Sequence, residues 1–219
     1  MAYSLVSNTA ASGTDSSVTT TAINTTGASL LVLGIAVDGA ATPTISDSKG
    51  NTWTALTAQS LTVKTQLYYA TNPTVGTGHT FSNTGASNFC SIFVASFSGA
   101  ATTSPFDQQN GATATGVSTI STGSVTPTNN NELVITQLGF NSAGLPTSID
   151  NGFTKTNDVE FGAANNYGGS MAYKIQTTAT AVNPSWTRTG TLAQTAVIAT
   201  FNVAITTIRN SNVLLMGVG

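Results

Sequence analysis

The side chains of this chain that could do chemistry are few, and most stand alone. His79 is its only imidazole and lies in Gly76-Thr77-Gly78-His79, at the start of an expected strand. Nucleophilic catalysis needs a histidine beside a serine and an acid. No Gly-x-Ser-x-Gly elbow accompanies His79, so it reads as a turn or surface histidine. Asp47-Ser48-Lys49-Gly50-Asn51 has the outline of a calcium loop. Such loops place oxygen ligands at alternate positions, and here Lys49 holds the third. A hairpin turn is expected instead, with Asp47 capping the backbone and Gly50 at positive φ. Asp150-Asn151-Gly152 repeats that turn chemistry. Asp158 and Glu160 share one strand face, but a paired-carboxylate glycosidase site needs two carboxyls across a cleft, and the sequence shows none. Trp53, Tyr68, Tyr69, Tyr173 and Trp186 could stack on sugars. Four of them recur at or beside equivalent places in an internal repeat, which favours core packing. Tyr167, in Asn165-Asn166-Tyr167-Gly168-Gly169, falls on an expected loop and is the one candidate glycan contact.

Composition explains why so little chemistry is on offer. Of 219 residues only 6 are Lys or Arg and 8 Asp or Glu, whereas 41 are Thr and 21 Gly. A net charge of −2 excludes the basic footprint that nucleic-acid binding requires. One Cys excludes a disulfide framework and a cysteine-based metal site. One His and eight carboxylates leave little for acid–base work. The chain is therefore expected to be no enzyme and to need no cofactor. Cys90, in the apolar run Phe89-Cys90-Ser91-Ile92-Phe93, is expected to be a buried small hydrophobe. No run approaches the ~18 apolar residues of a membrane helix. The first residues lack the basic and apolar regions of a signal peptide, so synthesis in a reducing cytoplasm is expected, with no membrane partner.

Short runs of Thr, Val, Ile and aromatics between Gly, Asn, Pro and Asp are the mark of many strands joined by turns. Strands are expected at residues 17–24, 29–37, 51–57, 60–71, 79–82, 88–98, 116–126, 132–140, 168–178 and 193–206. Val63, Thr65, Leu67 and Tyr69 alternate with Thr62, Lys64, Gln66 and Tyr68, which suits one buried and one wet face. Leu30 to Val37 is nearly continuous apolar sequence, as in a strand covered on both sides. No stretch has the periodicity of a surface helix. The class is all-β.

The chain also resembles itself. Ser29-Leu30-Leu31-Val32-Leu33-Gly34 returns as Asn131-Glu132-Leu133-Val134-Ile135-Thr136, and Gln66-Leu67-Tyr68-Tyr69-Ala70 as Gly169-Ser170-Met171-Ala172-Tyr173-Lys174. Ser91-Ile92-Phe93-Val94-Ala95-Ser96-Phe97 returns as Thr195-Ala196-Val197-Ile198-Ala199-Thr200-Phe201. The repeat, about 17–98 and 117–206, predicts an antiparallel, jelly-roll-like β-sandwich of two similar strand arrays within one domain, 1–206. Ser98–Thr115 between the copies reads either as a flexible linker or as a crossover packed on a sheet edge by Phe106. Residues 207–219 lie beyond the repeat and form a C-terminal arm. Its Val213, Leu214, Leu215 and Met216 are candidate contacts to a neighbouring subunit, or an extra strand. A folded chain of this mass exposes on the order of 9,000 Å², so its 14 charges are sparse. A neutral surface of hydroxyls and amides tolerates close contact with identical copies, since little charge must be desolvated.

Asp47-Ser48-Lys49-Gly50-Asn51-Thr52-Trp53-Thr54, Gln66-Leu67-Tyr68-Tyr69-Ala70 and Val94-Ala95-Ser96-Phe97-Ser98-Gly99 resemble segments of β-sandwich domains of bacteriophage virion proteins and some bacterial surface proteins. In size and Thr/Ala/Gly-rich composition the chain is similar to phage capsid decoration or cement proteins. That resemblance, over about residues 17–206, implies a sandwich on the virion's capsid surface, often a homotrimer, bound to the major capsid protein. It carries no catalytic residue. The expected function is accordingly structural, namely stabilising a phage head through self-association and lattice binding. The alternative is a tail-fibre or surface carbohydrate-binding module using Tyr167.

Overall fold

A computed structural model describes residues 2–13, 15–86, 89–141, 144–159 and 168–204. Seventeen strands and, among the described residues, no helix make up the chain. In the first half β1 (Ser4–Gly13), β2 (Ser17–Thr19), β3 (Leu30–Asp38), β4 (Thr44–Asp47), β5 (Thr54–Ala55), β6 (Gln59–Ser60), β7 (Val63–Thr71), β8 (Phe81–Thr84) and β9 (Cys90–Ser98) follow one another. The second half has β10 (Phe106–Ala114), β11 (Thr119–Ser121), β12 (Glu132–Phe140), β13 (Pro146–Ile149), β14 (Thr154–Val159), β15 (Gly168–Gln176), β16 (Ser185–Arg188) and β17 (Gln194–Phe201).

Every pairing between these strands is antiparallel, and none crosses between the halves. A large sheet in the order β1-β9-β3-β7-β5, with β6 also on β7, faces a small sheet β2-β8-β4. The second half repeats this with β10-β17-β12-β15-β14 and β11-β16-β13. Alternation along the strands decides how the four sheets stack. Leu31, Leu33, Ile35 and Val37 join a core built wholly from the first half, with Phe81, Ile92 and Val94. Val134, Leu138 and Phe140 join one built wholly from the second half, with Trp186 and Ile198. The opposite faces, Leu30, Val32, Phe93 and Phe97 against Leu133, Ile135, Val197 and Phe201, share a third core between the two large sheets. The order of layers is small, large, large, small. This is why Leu30 to Val37 is apolar at almost every position, and those residues are all buried.

Close approach of the large sheets depends on two glycines. A Cβ at Gly34 would stand 1.5 Å from Gln137 Oε1, and one at Gly139 would stand 2.0 Å from Thr65 Oγ1. The space freed at Gly139 lets Thr65 and Thr195 bond across the interface at 2.6 Å.

Several expectations change in detail. β1 and β10 head their halves as edge strands, although no strand was expected before residue 17 or within 98–115. Phe106 does anchor that segment, stacking on Tyr69 with ring centroids 6.0 Å apart. Ordered pairing with β17 replaces the flexible linker, because Phe106–Ala114 completes the second large sheet. The wet face expected on β7 is half-buried: Lys64 reaches Ala41 O, Gln66 Nε2 donates to Leu56 O, and Tyr68 is buried. Covering by the small-sheet layer is the cause. The Asp47 turn exists, with Lys49 N donating to Asp47 Oδ1 at 2.8 Å and Gly50 at φ 73°. It is no hairpin, since β4 belongs to the small sheet and β5 to the large one. Asp150-Asn151-Gly152 makes the same change of sheet between β13 and β14.

Candidate functional site

Beside the Asp47 turn the structure assembles a site that the sequence did not reveal. His79 pairs with Ile23 by two backbone hydrogen bonds of 3.0 Å, which draws the β7–β8 loop against the segment between β2 and β3. Its ring is thereby carried into the first half, fully buried, and stacks on Phe81 at 4.2 Å. Nε2 donates to Asp47 Oδ1 at 2.9 Å, with neither side chain exposed. Nδ1 shares a 2.9 Å hydrogen bond with the Thr25 hydroxyl, and that oxygen also accepts from Gly76 N at 3.1 Å. Asp47 accepts from Trp53 Nε1 at 2.8 Å and Asn51 Nδ2 at 3.1 Å. Burial works to raise the Asp47 pKa, but the hydrogen bonds from His79, the Lys49 amide and Trp53 outweigh it and hold the carboxyl below its ordinary value.

Acid, imidazole and hydroxyl thus stand in the order of a hydrolytic relay, and the surface histidine of the sequence reading is corrected to a buried one. The arrangement nevertheless works as a clamp. Thr25 is fully buried, and its hydroxyl already meets the Gly76 amide and carbonyl, so it has no path to a substrate. Ile23, Thr25, Asp47 and His79 instead tie three connections to one edge of the small sheet. No single segment signalled this, because Asp47 and His79 are 32 residues apart.

A second cluster lies where β12 begins and β17 ends. Glu132 is fully buried and Oε1 accepts from Asn129 N at 2.7 Å, with the Asp107 carboxyl close by. Burial pushes its carboxyl above the ordinary range, and the neighbouring Asp107 acts in the same direction. A cleft of about 680 Å³ opens beside it between Ser104, Asn129, Asn202 and Val203. Its walls offer hydroxyls, amides and apolar carbons.

The remaining candidates are placed plainly. Asp158 sits on β14, 2.6 Å from Lys155 Nζ, and also accepts from the Ser170 hydroxyl. Glu160, Tyr167, Val213, Leu214, Leu215 and Met216 lie outside the described residues. Trp186 is fully buried, and Trp53, Tyr69 and Tyr173 are half-buried against the cores. Cys90 is fully buried, with its thiol pushed up to about 11, chiefly by burial.

Two surface features stand out, the first unseen in the sequence and the second, sparse charge, already expected from it. Leu61, Val117, Leu145 and Leu192 are the exposed large hydrophobics among the described residues. They precede β7, follow β10, follow β12 and precede β17, respectively. Those strand ends coincide, because Val63 and Thr65 meet Gly139 and Thr65 meets Thr195. The four therefore crown one end of the molecule, opposite the cleft. The only signal in the sequence was a lone aliphatic residue inside each turn segment. The second feature is charge. Among the described charged residues only Asp15 and Asp150 are exposed, the rest being half-buried or buried. Arg188, for example, is 2% exposed and lies over the Phe140 ring at 4.1 Å.

Fold and surface together define an all-β antiparallel sandwich protein, with four exposed aliphatic side chains at one end and few fully exposed charges among the described residues. Comparison with protein-family models, curated proteins and solved structures finds no match to this chain.

Proposed function

We propose that this chain is a structural protein of a bacteriophage particle, a decoration or cement protein on the capsid surface. It stabilises the head by self-association and by binding the assembled major capsid protein. Each half is read as a jelly roll, since its strands pass back and forth between its large and small sheets. The observation that carries the reading is the distribution of surface groups, with Leu61, Val117, Leu145 and Leu192 at one end and charge withdrawn nearly everywhere else. Such an end docks on a repetitive surface while neutral flanks meet neighbouring copies at small desolvation cost. A protein that binds only the assembled lattice lowers the lattice's free energy by linkage, and many weak contacts combine as avidity.

The test is co-sedimentation of the purified chain with phage heads, together with the heads' resistance to heat. The intact chain should pellet with heads and raise their disruption temperature. Leu145→Asp and Leu192→Asp together should release it while leaving its own unfolding midpoint nearly unchanged, as both side chains are exposed. A chain that stays in the supernatant at every concentration sinks the reading, as does undiminished binding by the double variant.

A further inference from the structure

We propose that β1 is the self-association surface: it pairs antiparallel with β1 of a second copy across a two-fold axis, while side chains of β14 meet their counterparts beneath. This gives the self-association of the proposed function a place in the fold, and to that extent rests on that reading.

The large sheets have four edges, and three of them are blunted in the ways proteins usually protect a free edge. β5 and β6 are two residues each. β10 carries Asp107 and an irregular register between Phe106 and Gln109. β14 has six residues, a register shift, and the Lys155–Asp158 ion pair. β1 differs: ten residues, Ser-Leu-Val-Ser-Asn-Thr-Ala-Ala-Ser-Gly, with no charge and no proline. Its register on β9 shifts once, between Leu5 and Ser7, and runs unbroken from Ser7 to Gly13, and among the described strands none pairs with its outer edge.

A second copy fits this edge because two-fold pairing sets a strand against itself. An axis at Asn8 puts Asn8 opposite the partner's Asn8, and no like charges meet along β1. β14 lies directly beneath, since Asn157 Nδ2 donates to Asn8 Oδ1 at 2.8 Å. The same axis therefore passes at Asn157, and the register shift between Lys155 and Asn157 leaves Lys155 and Asp158 on either side of it, so that each Lys155 faces the partner's Asp158. Both strands are self-complementary about one line, as an isologous interface must be. The first large sheet then continues into its copy by β-augmentation. Ten extended residues span about 33 Å, and two sheets about 10 Å apart with their side chains make a face roughly 20 Å deep. With β14 only six residues long, the resulting ~500 Å² per copy is below the ~800 Å² per partner of a standard stable interface, in keeping with a reversible dimer.

Sedimentation of the full chain, with hydrogen exchange of the Ser4–Gly13 peptide, tests this. A reversible dimer is expected, with exchange in that peptide slowing as concentration rises. Asp158→Lys should weaken the dimer by about tenfold, by setting cations against cations. Adding Lys155→Asp to it should restore the dimer, and Lys155→Asp mixed with Asp158→Lys should give a heterodimer. A chain that is monomeric up to its solubility limit, a trimer, or an assembly with unchanged exchange in Ser4–Gly13 overturns the proposal. Should a variant fail to fold, the exchange of the unaltered chain decides alone. A monomer that still pellets with phage heads overturns only the pairing, whereas a dimer that ignores heads overturns only the virion reading.

Discussion

Asp47 carries more of the first half than its place in a turn suggests. Its two oxygens receive the His79 ring, the Lys49 amide, the Asn51 amide group and the Trp53 indole. Its folded-state pKa is lowered, so it contributes stability above the ordinary carboxylate pKa of about 3.9 and loses it as pH falls through the lower folded value. Asp47→Asn should therefore cost about 2–3 kcal/mol near neutral pH. The gap between variant and parent should narrow as the solution is acidified through that range. Denaturant unfolding followed at a series of pH values reads both effects. A gap of constant size would mean that the carboxylate's charge is not what the clamp uses.

At the scale of elements, the two large sheets decide how the halves join. Valine is ordinarily better than glycine in a strand, yet at Gly139 it should be worse. The added atoms meet Thr65 Oγ1 and Val63 Cγ2 and press on the Thr65–Thr195 hydrogen bond. Gly139→Val should destabilise by about 1–3 kcal/mol, the usual cost of overpacking, and thermal unfolding would show it. A neutral or stabilising result would mean that the sheets sit further apart than described. The same layering explains why β7 and β12 carry Thr65, Thr136 and Gln137 in buried positions. Both faces of these strands are covered, so the polar groups are held by neighbours, as when Thr136 Oγ1 donates to Val197 O at 2.8 Å. Gln137 is the exception, with neither amide atom hydrogen-bonded among the described residues.

For the whole molecule, the central core makes the halves dependent on each other. Phe93, Phe97, Leu133 and Phe201 are each completely buried within a cluster drawn from both halves. Separated, each half would expose one face of its large sheet, an apolar area far larger than the few hundred Å² that a monomer usually shows. Residues 1–104 and 105–219 expressed apart should aggregate or remain poorly packed, and co-expression should recover a stable pair. Gel filtration with near-ultraviolet circular dichroism distinguishes these outcomes. Two well-folded, soluble halves would show that the outer cores suffice. Charge belongs to this scale too: with Asp15 and Asp150 the exposed charges among the described residues, lateral contact between copies meets little electrostatic resistance.

The amino-acid order by itself determined the all-β class, the duplication and the position of the turns. Those properties follow from alternation, β-branched runs and Gly or Asn punctuation, which act over a few residues. It left β1, β4, β10, β13, β14 and β16 unseen because they are short or made mostly of small and polar residues, without the strong apolar period of a central strand. Tertiary structure alone decided that His79 is buried on Asp47, that four isolated aliphatic residues crown one end, and that Asn8 lies over Asn157. The last pair is 149 residues apart. Contacts of that kind arise from how sheets stack and which edges stay open, and no local period in the chain encodes them.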